Sequence, residues 1–137
     1  MPAAQLPECS LMEQLDDPAM QEVADFFSAF SAPMRLKILN ALRGGERNVG
    51  DLAARLGGSQ ANVSKHLGML TQRGLIAKST RGTSVFYRIV DPRIFELCDL
   101  VCVQVGRHLA QQAESRDTFL RVLDTGRAAP RKRPARR

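Results

Sequence analysis

Residues Asn48–Leu70 read NVGDLAARLGGSQANVSKHLGML, and the fold turns on this stretch. Asn48 is a good side-chain cap, and it stands before Leu52, Ala53 and Leu56, apolar at helical spacing. Gly57-Gly58 permit a tight turn, and Ser59 caps a second helix. In that helix Val63, Leu67 and Leu70 share one face, while Gln60, Asn62, Ser64 and Lys65 lie largely off it. Two short helices about a glycine turn, the second with a polar flank, form the helix-turn-helix pattern.

Downstream, Gly74 stops the second helix. Two strands are predicted, Leu75 to Ser79 and Ser84 to Ile89, linked by Thr80-Arg81-Gly82-Thr83. Upstream, Pro18 or Ala19 opens a first helix through Met20, Val23, Ala24, Phe27 and Phe30. Pro33 starts another with Leu36, Ile38, Leu39 and Leu42, ended by Gly44-Gly45. Pro92 opens a last long helix to about Ala113, with Glu114 to Asp124 as an extension. The expected architecture is mainly α with a β-hairpin wing, a winged helix-turn-helix. Residues 1–17 read as a flexible arm, 18–124 as the folded domain, and 125–137 as a basic disordered tail.

The chain has 137 residues and a formal charge of +6. Arg127, Arg131, Lys132, Arg133, Arg136 and Arg137 account for that excess, and the remainder balances at 14 basic against 14 acidic residues. Net charge therefore says little about the domain. Its distribution says more, because Leu52 to Val90 hold six basic residues and no Asp or Glu. The tail either adds salt-sensitive phosphate contacts or serves as a solubilising end. The N-terminal residues lack a charged-then-apolar leader pattern, and no run is long enough to span a membrane, so a soluble cytoplasmic protein is expected. Three cysteines, an odd number, argue against a disulfide framework.

A DNA major groove about 12 Å wide admits one helix, and short polar side chains in that helix's first turns reach base edges. The candidates are Ser59, Gln60, Asn62, Ser64 and Lys65, with Asn and Gln suited to bidentate bonds to adenine. Lys78, Arg81 and Arg88 on the hairpin suit the backbone or the adjacent minor groove. His66 is explained better by a phosphate contact or by packing than by metal or catalysis, since no second ligand adjoins it. No paired carboxylates, phosphate loop or Ser-His-Asp order supports an enzyme. A winged helix that binds protein instead of DNA is the rival of another class, and the polar, acid-free recognition helix argues against it.

Phe30-Ser-Ala-Pro-Met-Arg-Leu-Lys-Ile-Leu39, Ser59-Gln-Ala-Asn-Val-Ser-Lys-His-Leu67, Arg73-Gly-Leu-Ile76 and the hairpin Arg81-Gly-Thr-Ser-Val-Phe-Tyr-Arg88 together resemble the ArsR/SmtB repressors. The resemblance runs from about Ala24 to Val105. It implies a homodimer, formed through the first and last helices, that sits on double-stranded operator DNA and leaves when an effector binds. Two of the family's metal patterns are missing. Where the metalloid box has its cysteines, Glu46-Arg-Asn-Val-Gly-Asp-Leu52 places Asn48 and Gly50. Counted from Asp99, the last-helix zinc pattern meets Val101, Gln112 and Ser115.

Cys98 and Cys102 stand four residues apart, so one helical face carries both, with Cβ atoms about 6 Å apart. Soft thiolates at that separation suit a thiophilic ion, and Cys9 on the arm offers a third. Three thiolates suit As(III) or Sb(III); cadmium, lead and mercury are alternatives. His108 lies roughly 120° round the helix from Cys102 and is a poor partner. Two other readings stay open: a thiol redox or persulfide switch, and inert packing of small apolar side chains. A Cys98–Cys102 disulfide within one helix would be strained. The family's redox switches pair a second-helix cysteine with a last-helix one, and the second helix here has none.

Overall fold

The structure, a computed structural model, describes residues 10–128. Cys9 and the tail from residue 129 onward lie outside the described residues. The chain forms two compact units, divided after Pro92.

In the first unit a 3-10 turn, Leu11–Gln14, occupies part of the expected arm, with the Ser10 hydroxyl accepting from the Met12 N–H at 3.3 Å. Helix α1, Asp17–Ser28, starts on the carboxylate of Asp16, which accepts from the Ala19 N–H at 3.0 Å. Helix α2 is Pro33–Leu42, with proline in its first turn, where no N–H is needed. Strand β1, Arg47–Asn48, leads directly into helix α3, Val49–Leu56. Helix α4 is Gln60–Gln72, and the hairpin is β2, Ile76–Arg81, and β3, Ser84–Ile89.

The hairpin differs from the sequence expectation at its turn. The strands stay paired to Arg81↔Ser84, which leaves a two-residue turn of Gly82 and Thr83. Gly82 has φ of 63°, the positive value that the first position of such a turn requires. Strand β1 adds a third, antiparallel strand on the outer edge of β3, pairing Arg47 with Tyr87 and Asn48 with Phe86. Two residues are too few to show a period, so the strand had no sequence signature.

The core of this unit is Ile38, Leu39 and Leu42 from α2, Leu52 and Ala53 from α3, Val63, Leu67 and Leu70 from α4, and Leu75 and Ile76 at the start of the hairpin. Leu36, expected on the apolar face of α2, is 43% exposed, and Arg35 takes its place at 6%. Arg35, Ile38, Leu39 and Leu42 follow the i, i+3, i+4, i+7 spacing of one helical face.

The second unit is helix α5, Ile94–Ala128, 35 residues long. It begins two residues after Pro92 and runs past Asp124 without a break, since no proline interrupts it before Pro130. Leu100, Val101, Val105, Leu109, Phe119 and Leu123 are all exposed along it. Among the described residues, no helix is long and apolar enough to cross a membrane.

Candidate nucleic-acid interface

Both helices of the helix-turn-helix begin on side-chain caps, as their sequence requires. Asn48 accepts from the Asp51 N–H at 2.8 Å to start α3, and Ser59 accepts from the Asn62 N–H at 3.1 Å to start α4. Each cap satisfies an N–H that has no partner within its helix, worth about 1 kcal/mol. Gly57 between them is left-handed, with φ of 69°. Gly58 is closely approached: a Cβ there would lie 3.3 Å from a Val63 methyl and 3.4 Å from the Met34 methyl. Helix α4 therefore leaves the turn pressed onto α2 and α3, with its apolar face inward.

Its other flank is open. Ser59, Gln60, Asn62, Ser64 and Lys65 are all exposed, against fully buried Val63, Leu67 and Leu70. Gln60 leans back toward α3, its amide nitrogen 3.7 Å from where a Cβ on Gly50 would stand. Asn62, Ser64 and Lys65 project from the side opposite the core.

His66 is turned inward instead. It is half-buried, and its Nδ1 lies 3.2 Å from an amino nitrogen of Arg35. That guanidinium also donates to the Ala29 carbonyl at 2.7 Å, the Ser28 carbonyl at 3.2 Å, the Ser31 hydroxyl at 3.3 Å and the Met69 sulfur at 3.3 Å. A second link, Arg73 to Asp25 at 3.8 Å, also joins α1 to the C-terminal end of α4. The sequence reading missed Arg35. The available signal was its place in the buried stripe of α2.

Burial first, then the charges of Arg35 and Lys65, push the His66 imidazole below its ordinary value of 6.5. The folded protein thus prefers neutral His66. As the pH falls below about 6.5 the unfolded chain takes up the proton first, so stability is full above that value and declines through the folded-state pKa. Thermal melts between pH 7.5 and 5 should show a larger loss in the wild type than in His66→Asn, which keeps an acceptor and does not titrate. Equal losses would remove His66 as the cause.

The wing carries its cations on two faces. Alternation along the ladder puts Ser79, Arg81, Phe86 and Arg88 on one face, and Lys78 with Tyr87 on the other. Arg81 donates to Glu46 at 2.9 Å, and its guanidinium carbon lies 5.1 Å from the Phe86 ring centre. The acid-free stretch is therefore less one-signed in three dimensions than along the chain. Asp51 takes Arg55, Asp25 takes Arg73 and Glu46 takes Arg81, each acid coming from outside the stretch. A hydrogen bond from Arg47, reinforced by Arg55, holds the Asp51 carboxyl below the usual carboxylate range. Lys65, Lys78 and Arg88 remain without ion-pair partners among the described residues.

The second unit holds the two thiols. Cys98 is half-buried and Cys102 exposed, about one helical turn apart on α5. No group of three or more His, Cys, Asp or Glu that could hold a metal ion occurs among the described residues. Cys9, the expected third ligand, is not one of those residues.

Residues 32–78, which span α2, α3, α4 and the start of β2, match the profile "Bacterial regulatory protein, arsR family". Over 85 residues the chain is 38% identical to the HTH-type transcriptional regulator NmtR of Mycobacterium tuberculosis, covering 62% of this chain and 71% of that protein. The chain belongs to the ArsR family. A second relative, the probable mercury resistance operon repressor of Streptomyces lividans, is 36% identical over 104 residues, 75% of this chain and 79% of that one. Among solved structures, the homodimeric winged helix-turn-helix DNA-binding domain from Mycobacterium bovis superposes with a TM-score of 0.61 at 29% identity, covering 77% of this chain and 95% of that one. This ArsR-family protein is accordingly a transcriptional repressor built on a winged helix-turn-helix, and not an enzyme.

Proposed function

We propose that this repressor works as a homodimer on double-stranded operator DNA. Asn62, Ser64 and Lys65 of α4, with Ser59 and Gln60 at its start, enter the major groove, and Lys78, Arg81 and Arg88 of the hairpin meet the flanking backbone. The observation that carries the reading is the contrast within α4: an exposed polar flank on a helix whose opposite face is fully buried. Dimerisation through α1 and α5 is supported by the exposed apolar side chains of each, Met20 and Phe27 on α1 and Leu100 to Leu123 on α5. The homodimeric state of the M. bovis neighbour agrees with it. His66 has a supporting role here, holding α4 to Arg35, rather than contacting DNA itself.

Release is assigned to a thiophilic metal ion or metalloid, arsenite and antimonite foremost, held by Cys98 and Cys102 with Cys9 as the third thiolate. Two soft donors on one face of the pairing helix support this, and the S. lividans relative is named for mercury resistance. Recognition helices in a dimer must meet half-sites about 34 Å apart, so a small change in α5 pairing spoils the fit. A coupling of about 1–3 kcal/mol lowers affinity by one to two orders of magnitude.

The test uses a duplex selected by the wild-type protein from a random-sequence pool. Arsenite, antimonite, Hg²⁺ and Cd²⁺ are titrated onto the complex, with peroxide as a separate arm. Cys98→Ser and Cys102→Ser should bind DNA normally and need at least ~10-fold more inducer for release, with Cys9→Ser affected less. Unchanged release by all three variants contradicts the assignment. Release by peroxide alone transfers the same thiols to redox sensing.

A further inference from the structure

Glu46 lies between α2 and β1, far in sequence from the hairpin, yet both its carboxylate oxygens are engaged there. Oε1 accepts from the Ser79 hydroxyl at 3.0 Å, and Oε2 accepts from the Arg81 guanidinium at 2.9 Å. Phe86 supports the same guanidinium from its ring face. Arg81 is thus gripped from two directions while its side chain stays 64% exposed, against 26% for Glu46. An unrestrained arginine carries about 2 kcal/mol of rotamer entropy, which is lost when it fixes on a phosphate. Here that freedom is already restricted. One of five N–H donors is committed to Glu46, and the rest of the fork is left for another acceptor.

We propose that Glu46 is a positioning residue for DNA binding: it holds Arg81 in the orientation in which the wing meets the DNA backbone. The inference rests on the DNA-contacting role of Arg81 proposed above. It has an unusual signature, because simple electrostatics predicts the opposite sign. A carboxylate next to a polyanion is repelled, so removing its charge should tighten binding and steepen the salt dependence. If Glu46 acts by positioning, removing its charge weakens binding instead.

The experiment measures affinity for the selected duplex, as a function of salt, for the wild type, Glu46→Gln, Arg81→Ala and the double variant. Glu46→Gln should bind about 3-fold more weakly, the scale of a partly exposed ion pair, with an unchanged melting temperature. Arg81→Ala should bind more weakly still, with a shallower salt slope, and adding Glu46→Gln to it should cost nothing further. Tighter binding by Glu46→Gln, or additive losses in the double variant while Arg81→Ala alone is weakened, overturns the positioning role and leaves the DNA reading intact. Wild-type affinity in Arg81→Ala overturns both the wing contact and the inference built on it.

Discussion

Arg35→Ala should lower the unfolding free energy by about 3 kcal/mol, the largest stability loss expected from one polar substitution in this protein. Five acceptors converge on this guanidinium, two of them backbone carbonyls, Ser28 and Ala29, at the end of α1. Alanine takes the side-chain donor from the carbonyl of Ala29, itself 2% exposed, and empties a site where arginine is only 6% exposed, whereas the Ser28 carbonyl keeps the Ser31 hydroxyl as a donor at 2.6 Å. An unsatisfied buried acceptor costs about 1–3 kcal/mol, and the packing of the buried arginine stem is lost with it. For a domain of this size the melting temperature should fall by roughly 10–20 °C. Arg35→Lys should recover only part, since an ammonium cannot reproduce the planar fork. A loss under ~1 kcal/mol would mean that water or a local shift satisfies the same groups.

The consequence reaches function because of what Arg35 joins. Its contacts connect the end of α1 to His66 and Met69 on α4, so the helix proposed for dimerisation and the helix proposed for recognition share one side chain. Arg35→Ala at a permissive temperature should therefore loosen α4 and weaken DNA binding beyond any loss of folded protein.

Asn62→Ala should behave in the opposite way, costing affinity and leaving the fold intact. Asn62 is exposed within α4, where alanine is the better helix former. Its backbone N–H is held by the Ser59 cap, and its side chain makes no hydrogen bond among the described residues. A bidentate amide–adenine contact is worth about 1–3 kcal/mol, so affinity for the selected duplex should fall by roughly 30-fold. Binding to unrelated DNA, which depends on phosphate contacts, should change little. Equal weakening on both duplexes would move Asn62 from base reading to backbone contact.

Much of this was legible in the sequence because it is local chemistry. Asn48 and Ser59 announce their helices by cap type, Gly57 and Gly82 mark the positions that need positive φ, and the alternation of Val63, Leu67 and Leu70 with polar residues orients α4. What escaped was long-range. Glu46 reaches Arg81 across 35 residues, so counting charges along Leu52–Val90 overstated how positive the folded surface is. Arg35 was read past because an arginine on a helix usually faces water, although its spacing to Ile38 and Leu42 placed it on the buried stripe. Strand β1 exists only because β3 offers an edge to pair with. The thiols are a different case. Cys98 and Cys102 share α5, as their spacing predicts, but the ligand proposed for them follows from thiol chemistry, which a helical spacing does not narrow to one ion.

The central claim is that the polar flank of α4 lies against base edges in the major groove. Replacing single adenines of the selected duplex with 7-deazaadenine removes the N7 acceptor from that groove and leaves base pairing unchanged. At one adenine in each half-site, the substitution should weaken the wild type by about as much as Asn62→Ala does, and should leave Asn62→Ala itself unaffected. If no position weakens the wild type, or if every effective position weakens both proteins equally, Asn62 does not read the groove and the account of α4 is wrong.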